Sequence, residues 1–119
     1  MKRVLFVEDH KEMRNLYEAL FRDETDIVTS GVESAEAALS YIGRLPPHLA
    51  VIDISLPGIN GLELAAILAK SHPAIRLLVV TGHPSKAYYE DAIKAGADDL
   101  VSKASPNEII SAVKRLVCE

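Results

Sequence analysis

Leu49-Ala50-Val51-Ile52-Asp53-Ile54-Ser55-Leu56-Pro57-Gly58 is an apolar run that ends on a carboxylate and then turns. Four apolar residues in succession fit a strand buried on both faces, the kind found in parallel sheets. Pro57-Gly58 takes the chain around and leaves Asp53 at a loop edge. The same arrangement recurs elsewhere: Val4-Leu5-Phe6-Val7 is followed by Glu8-Asp9, Leu77-Leu78-Val79-Val80 by Thr81, and Leu100-Val101 by Lys103. In an open parallel sheet the ligand crevice lies beyond the carboxyl ends of the strands, so residues that close successive strands converge there. Three carboxylates, a hydroxyl and an ammonium are therefore expected to share one pocket.

Segments of helical period separate these runs, which predicts five βα units around a parallel sheet. Met13, Leu16, Tyr17, Leu20 and Phe21 mark the buried face of the first helix. A second strand is expected near Asp26 to Thr29, then a helix buried through Ala35, Ala38, Leu39 and Ile42 and stopped at Gly43. Asn60 reads as the N-cap of the third helix, with Glu63 returning a bond and Leu64, Ala65 and Leu68 facing the core. The fourth helix follows Pro84 and ends by Gly96. The fifth opens on Ser105-Pro106-Asn107-Glu108, a capping box with proline at the first helical position, and turns Ile109, Ile110, Val113, Leu116 and Val117 inward. No linker or low-complexity segment interrupts the pattern, so one domain over 1–119 is expected.

Composition narrows the function classes. Of 119 residues, 49% are hydrophobic and 25% charged, which is ordinary for a globular chain. The net charge of −4 offers no basic footprint, so direct nucleic-acid binding is not expected. No apolar run approaches the roughly 20 residues that span a bilayer, and the N-terminus enters a strand pattern at once. A soluble cytoplasmic protein is the expectation. The single cysteine, Cys118, cannot form an internal disulfide, which fits a reducing compartment, and reads as a small apolar residue near the end of the last helix.

Glu8, Asp9 and Asp53 brought together repel one another and stay ionised at neutral pH only if a cation compensates. A hard divalent ion such as Mg²⁺ suits a site with few carboxylate ligands. An exposed carboxylate beside such an ion can attack phosphorus. Lys103 adds a mobile charge for phosphate oxygens and Thr81 a hydroxyl that can bond one of them.

Val7-Glu8-Asp9, Asp53 through Gly61, Thr81-Gly82 and Lys94-Ala95-Gly96-Ala97-Asp98-Asp99 with Lys103 resemble, over essentially the whole chain, the receiver domain of two-component response regulators. The resemblance implies a flavodoxin-like (βα)5 fold with strand order 2-1-3-4-5 and phosphorylation of Asp53 by a sensor histidine kinase. It also implies Mg²⁺ held by Asp9, Asp53 and the main-chain carbonyl of Ser55, with Glu8 nearby or acting through water. Thr81 and Lys103 would be drawn to the phosphate, switching the surface around the fourth helix, fifth strand and fifth helix. Lys103-Ala104-Ser105-Pro106 and Asp9-His10 resemble receivers attached to helix-turn-helix regulators of the LuxR type, whose DNA-binding domain follows the fifth helix. This chain is then expected to be a receiver cut from such a protein or one standing alone. Ser55 and His83, two residues after Asp53 and Thr81, hold the positions that tune access of water to an acyl phosphate.

Two positions depart from the family pattern. Leu100 stands three residues before the lysine, where an aromatic switch residue is usual, so Thr-aromatic coupling does not carry over; Tyr88 or Tyr89 could substitute. Ala104 replaces the proline that often follows the lysine, and a cis bond before a non-proline residue costs roughly 2.5–4 kcal/mol, so none is expected. The alternative reading is a pseudo-receiver that binds partners without phosphorylation. An aspartate-nucleophile phosphatase wants an acid two residues after the nucleophile, where this chain has Ser55, so turnover of outside substrates is not expected. A flavin-binding protein needs a phosphate cradle after the first strand, where Glu8-Asp9 would repel phosphate. His48 and His72, each beside a proline, read as loop residues. Apolar periodicity allows a homodimer without selecting its face.

Overall fold

Five parallel strands, β1 (Lys2–Val7), β2 (Ile27–Val32), β3 (Leu49–Asp53), β4 (Arg76–Thr81) and β5 (Asp99–Ser102), form one sheet in the order β2-β1-β3-β4-β5. The structure, a computed structural model, describes residues 1–118. Helices α1 (Lys11–Leu20), α2 (Ala35–Arg44), α3 (Gly61–Ser71), α4 (Lys86–Ala95) and α5 (Pro106–Cys118) connect and follow the strands. This is the expected flavodoxin-like architecture.

Strand side chains alternate between the two faces, and each face has its own core. Leu5, Val7, Ala50, Ile52, Leu77 and Val79 pack with residues of α2, α3 and α4. Val4, Phe6, Leu49, Val51, Leu78 and Val80 pack with Tyr17, Phe21 and the inner face of α5. Every residue of β3 is buried, which explains its unbroken apolar run. The chain reverses its winding at β1 and β3, where the two halves of the sheet meet and where a doubly wound sheet opens its crevice.

Local chemistry sets the connections. The Asn60–Glu63 capping box forms in full: Glu63 N–H donates to Asn60 Oδ1 at 2.9 Å and Asn60 N–H to Glu63 Oε1 at 3.1 Å. Gly61 then starts α3 against the end of β3, so closely that a Cβ there would lie 2.1 Å from the Asp53 carbonyl oxygen. Gly96 closes α4 in the left-handed region at φ 105°. Asp98 accepts Leu77 N–H at 2.8 Å and pairs with Arg76 at 3.2 Å, fixing the entry to β5 against the start of β4.

Several local expectations are corrected. β2 runs on through Ser30 and Gly31 to Val32, pairing in register with Leu5, Phe6 and Val7; ladder bonds to β1 override the turn preference of these residues. α2 passes through Gly43, where a Cβ would find open space, and ends when Leu45 N–H closes on Tyr41 C=O ahead of Pro46. Leu16 lies on the exposed side of α1. Ser105 and Glu108 exchange no capping bonds, and the Ser105 N–H goes instead to Ser102 C=O. Cys118 is exposed rather than packed. No helix among the described residues is long and apolar enough to cross a membrane.

Candidate functional site

The buried polar or charged residues among those described are Glu8, Asp53 and Thr81, and all three close strands. Such groups are costly to bury unless compensated, so their collection at one end of the sheet marks a site. Glu8 follows β1, its N–H held by Val32 C=O at 3.0 Å and its own C=O accepting from Arg14 at 2.7 Å. Asp53 ends β3 beside Val80 of β4, and Thr81 is the next residue of that strand. Lys103 leaves β5 with its N–H on Thr81 C=O at 2.9 Å. Its side chain turns inward.

Lys103 Nζ lies 2.7 Å from Glu8 Oε1 and 3.1 Å from Asp53 Oδ2. Burial pulls its pKa down, but its bonds to Glu8 and Asp53 and their negative charges outweigh that and hold it above the usual lysine value. Asp53 Oδ1 accepts Ser55 N–H at 3.0 Å, so both oxygens of this carboxylate are held. Thr81 Oγ1 accepts His83 N–H at 3.1 Å, which leaves the hydroxyl proton to donate. His10, outside the expected site list, joins it: its Nδ1 lies 3.1 Å from Glu8 Oε2 and 3.3 Å from Asp9 Oδ1. The hydrogen bond to Glu8, then the charges of Asp9 and Glu8, raise its pKa above the ordinary histidine value.

Cationic compensation remains incomplete. Three carboxylates face one ammonium and one imidazole. Glu8 Oε1 and Asp9 Oδ1 are sealed from solvent; the Lys103 ammonium at 2.7 Å meets Glu8 Oε1, and Asp9 Oδ1 has the His10 ring at 3.3 Å but no hydrogen bond. One ligand atom from each of Glu8, Asp9, His10 and Asp53 lies within 4.8 Å of the others. This donor set fits a divalent cation. Beneath it, the Tyr17 ring stacks on Phe6 with centroids 4.5 Å apart, and its buried hydroxyl has no partner. Burial, then the charges of Glu8 and Asp53, push the Tyr17 pKa well above the ordinary tyrosine value.

The expected residues therefore meet, with Ser55 placed through its N–H on Asp53. Leu100 is packed into the core face with α3 and α4, whereas Tyr88 and Tyr89 are 41% and 45% exposed on α4, with neither hydroxyl bonded. His48 is also more than a loop residue: its Nδ1 accepts Arg3 N–H at 2.9 Å, while its backbone bonds both Arg3 and Arg76. The only sequence signals for His10 and His48 are adjacency to Asp9 and to the start of the third strand.

A family model described as the response regulator receiver domain matches residues 4–114. Response regulator GacA of Pseudomonas protegens is 33% identical over 116 residues, covering 96% of this chain and 54% of the relative. The DNA-binding transcriptional activator DevR/DosR of Mycobacterium tuberculosis is 37% identical over 105 residues, covering 87% and 48%. The chain thus spans about half the length of these curated relatives. Among solved structures, a LuxR-family two-component response regulator from Aurantimonas sp. SI85-9A1 superposes with a TM-score of 0.92 at 28% identity, covering 99% of this chain and 86% of that one. The receiver domain of the Francisella response regulator 1452 superposes at 0.89 with 26% identity, covering 98% and 97%.

Proposed function

Because the chain belongs to the response regulator receiver domain family, we propose that it is a phosphoacceptor whose Asp53 takes a phosphoryl group from a sensor histidine kinase. The observation that carries this reading is the Lys103 ammonium bridging the two buried carboxylates, Glu8 at 2.7 Å and Asp53 at 3.1 Å. An Asp53 oxygen forms the new bond to phosphorus as the phosphorus–nitrogen bond of the kinase phosphohistidine breaks, and the imidazole leaves with its electron pair. The product is a mixed anhydride on Asp53. Lys103 then follows the negative charge onto the phosphoryl oxygens, and Thr81 donates its free hydroxyl proton to one of them.

Glu8, Asp9 and Asp53, with the Ser55 carbonyl as a further oxygen, would hold Mg²⁺. When bound, that ion supplies positive charge against the phosphoryl oxygens and the carboxylates. Movement of Thr81 and Lys103 acts on the loops after β4 and β5 and hence on the surface around α4, β5 and α5. Ser55, whose N–H bonds Asp53, and His83, whose N–H bonds Thr81, would set how water approaches the acyl phosphate. These roles belong to signalling and not to turnover of an outside substrate.

A second reading, an interaction module that works without phosphorylation, draws on Leu100 being core-packed where an aromatic switch would sit. Intact mass after incubation with acetyl phosphate and Mg²⁺ separates the two. A phosphoryl adduct absent from Asp53→Asn and from metal-free protein is expected. No adduct, together with no binding of beryllofluoride, would instead favour the interaction module.

A further inference from the structure

We propose that His10 is a fourth side-chain ligand of the ion site and that its nitrogen makes the site prefer a borderline transition ion, such as Co²⁺ or Zn²⁺, over Mg²⁺. The inference rests on Glu8, Asp9 and Asp53 being the carboxylate ligands, and adds a donor of different chemistry. His10 is the N-cap residue of α1, with extended backbone at φ −88° and ψ 120°, yet its side chain makes no capping bond. Released from that task, the ring lies over the strand ends, with Nδ1 at 3.1 Å from Glu8 Oε2 and 3.3 Å from Asp9 Oδ1.

Two buried oxygens at this place have a single charged or polar neighbour each, Lys103 for Glu8 Oε1 and His10 for Asp9 Oδ1. Glu8 has no exposed surface, and its Oε1 is met only by the Lys103 ammonium; Asp9 Oδ1 is sealed and unbonded although 29% of the Asp9 side chain is exposed. Ligand atoms at about 2.1 Å from one ion lie at most roughly 4.2 Å apart. The four candidate atoms lie within 4.8 Å of one another, so an adjustment of about half an ångström at the widest pair closes a shell. Glu8 divides its oxygens, one toward Lys103 and one toward His10, which leaves the His10 side open to an ion.

Oxygen ligands alone suit Mg²⁺, which gains little from imidazole, whereas imidazole favours later first-row ions. Nδ1 is the ring nitrogen that faces the carboxylate oxygens and so is the one placed to ligate, which puts the proton of the ligated ring on Nε2, with water available to a side chain 69% exposed. Removing the imidazole takes away no capping bond and no core packing, so the variant folds.

Calorimetric titration of the wild type, His10→Ala and Asp53→Asn with Mg²⁺ and with Co²⁺, at about pH 8, above the ordinary histidine value, tests this. Co²⁺ affinity is expected to fall roughly 10–100-fold in His10→Ala, the range typical when even an outer partner of a metal ligand is lost, while Mg²⁺ affinity stays the same. Asp53→Asn should weaken both ions. Equal Co²⁺ affinity in wild type and His10→Ala overturns the proposal while leaving the carboxylate site standing, and so does an equal loss for both ions, which would make His10 only an arranger of carboxylates. Unchanged binding of both ions in Asp53→Asn overturns the carboxylate reading and the proposal together. The ¹⁵N spectrum of His10 reads ligation directly, with Nδ1 shifting on addition of Zn²⁺ and not of Mg²⁺; no shift with Zn²⁺ counts against the ligand role.

Discussion

Lys103 stands between two carboxylates that have almost no access to water, and its worth lies in what its loss would leave behind. Lys103→Ala strands Glu8 and Asp53 as neighbouring buried anions. Breaking a buried pair from one side costs about 3–5 kcal/mol; with the Lys103 side chain 20% exposed, a loss of about 2–3 kcal/mol is expected in urea unfolding at neutral pH. The sign with pH follows from its raised pKa: the stabilisation is complete below the ordinary lysine value and is lost as pH rises through the higher folded value. The wild-type advantage over the variant should therefore persist through neutral pH and shrink only in strong alkali. Tyr17 gives the opposite result. Its hydroxyl is buried without a partner, and an orphaned polar group costs about 1–3 kcal/mol, so Tyr17→Phe should stabilise by up to that amount while keeping the stack on Phe6. A Tyr17→Phe variant that is less stable than wild type in the same urea titration would mean that the hydroxyl is bonded in solution.

At the scale of elements, one imidazole supports the join between the start of β1 and the residue that leads into β3. His48 Nδ1 must be unprotonated to accept Arg3 N–H, and burial, followed by the charges of Arg3, Lys2 and the amino terminus, lowers its pKa. A lowered folded value means stability present above the unfolded value of about 6.5 and lost as pH falls through the folded one. Thermal melts from about pH 8 to pH 5 should therefore show wild type losing more than His48→Asn, whose side-chain oxygen keeps an acceptor at every pH. The join between β3 and α3 is steric. Gly61→Ala places a Cβ 2.1 Å from the Asp53 carbonyl oxygen and 2.7 Å from Ile54 Cα; about 3 kcal/mol of lost stability, the upper part of the overpacking range, is expected in urea unfolding, with slower labelling of Asp53. These joins also show what sequence can reveal. The buried runs and the Asn60–Glu63 box were readable because their chemistry is local, and Glu8, Asp9, Asp53, Thr81 and Lys103 because strand order carries them to one edge. The extension of β2 through Gly31 and the role of His48 were not, since each depends on a partner more than ten residues away.

Across the whole molecule, the two cores on either side of the sheet are apolar and nearly complete, so the concentration of unmet charge at the strand ends is the main electrostatic debt of the fold. An ion that binds only the native state relieves it in proportion to its occupancy. At a concentration 100 times its Kd such an ion adds about 2.7 kcal/mol, which for a chain of this length corresponds to a rise in Tm of roughly 10 °C. Melts in Mg²⁺ against a chelator should show that rise in the wild type. In Asp53→Asn the starting Tm should already be higher, because one of the mutually repelling anions is gone, and the increment from Mg²⁺ smaller for want of a ligand. The two effects have one cause, repulsion among Glu8, Asp9 and Asp53 that is retained for the chemistry it permits. A wild-type Tm indifferent to Mg²⁺, or an Asp53→Asn protein less stable than wild type without metal, would mean that Lys103 and His10 alone balance the carboxylates and that the strand ends carry no need for an ion.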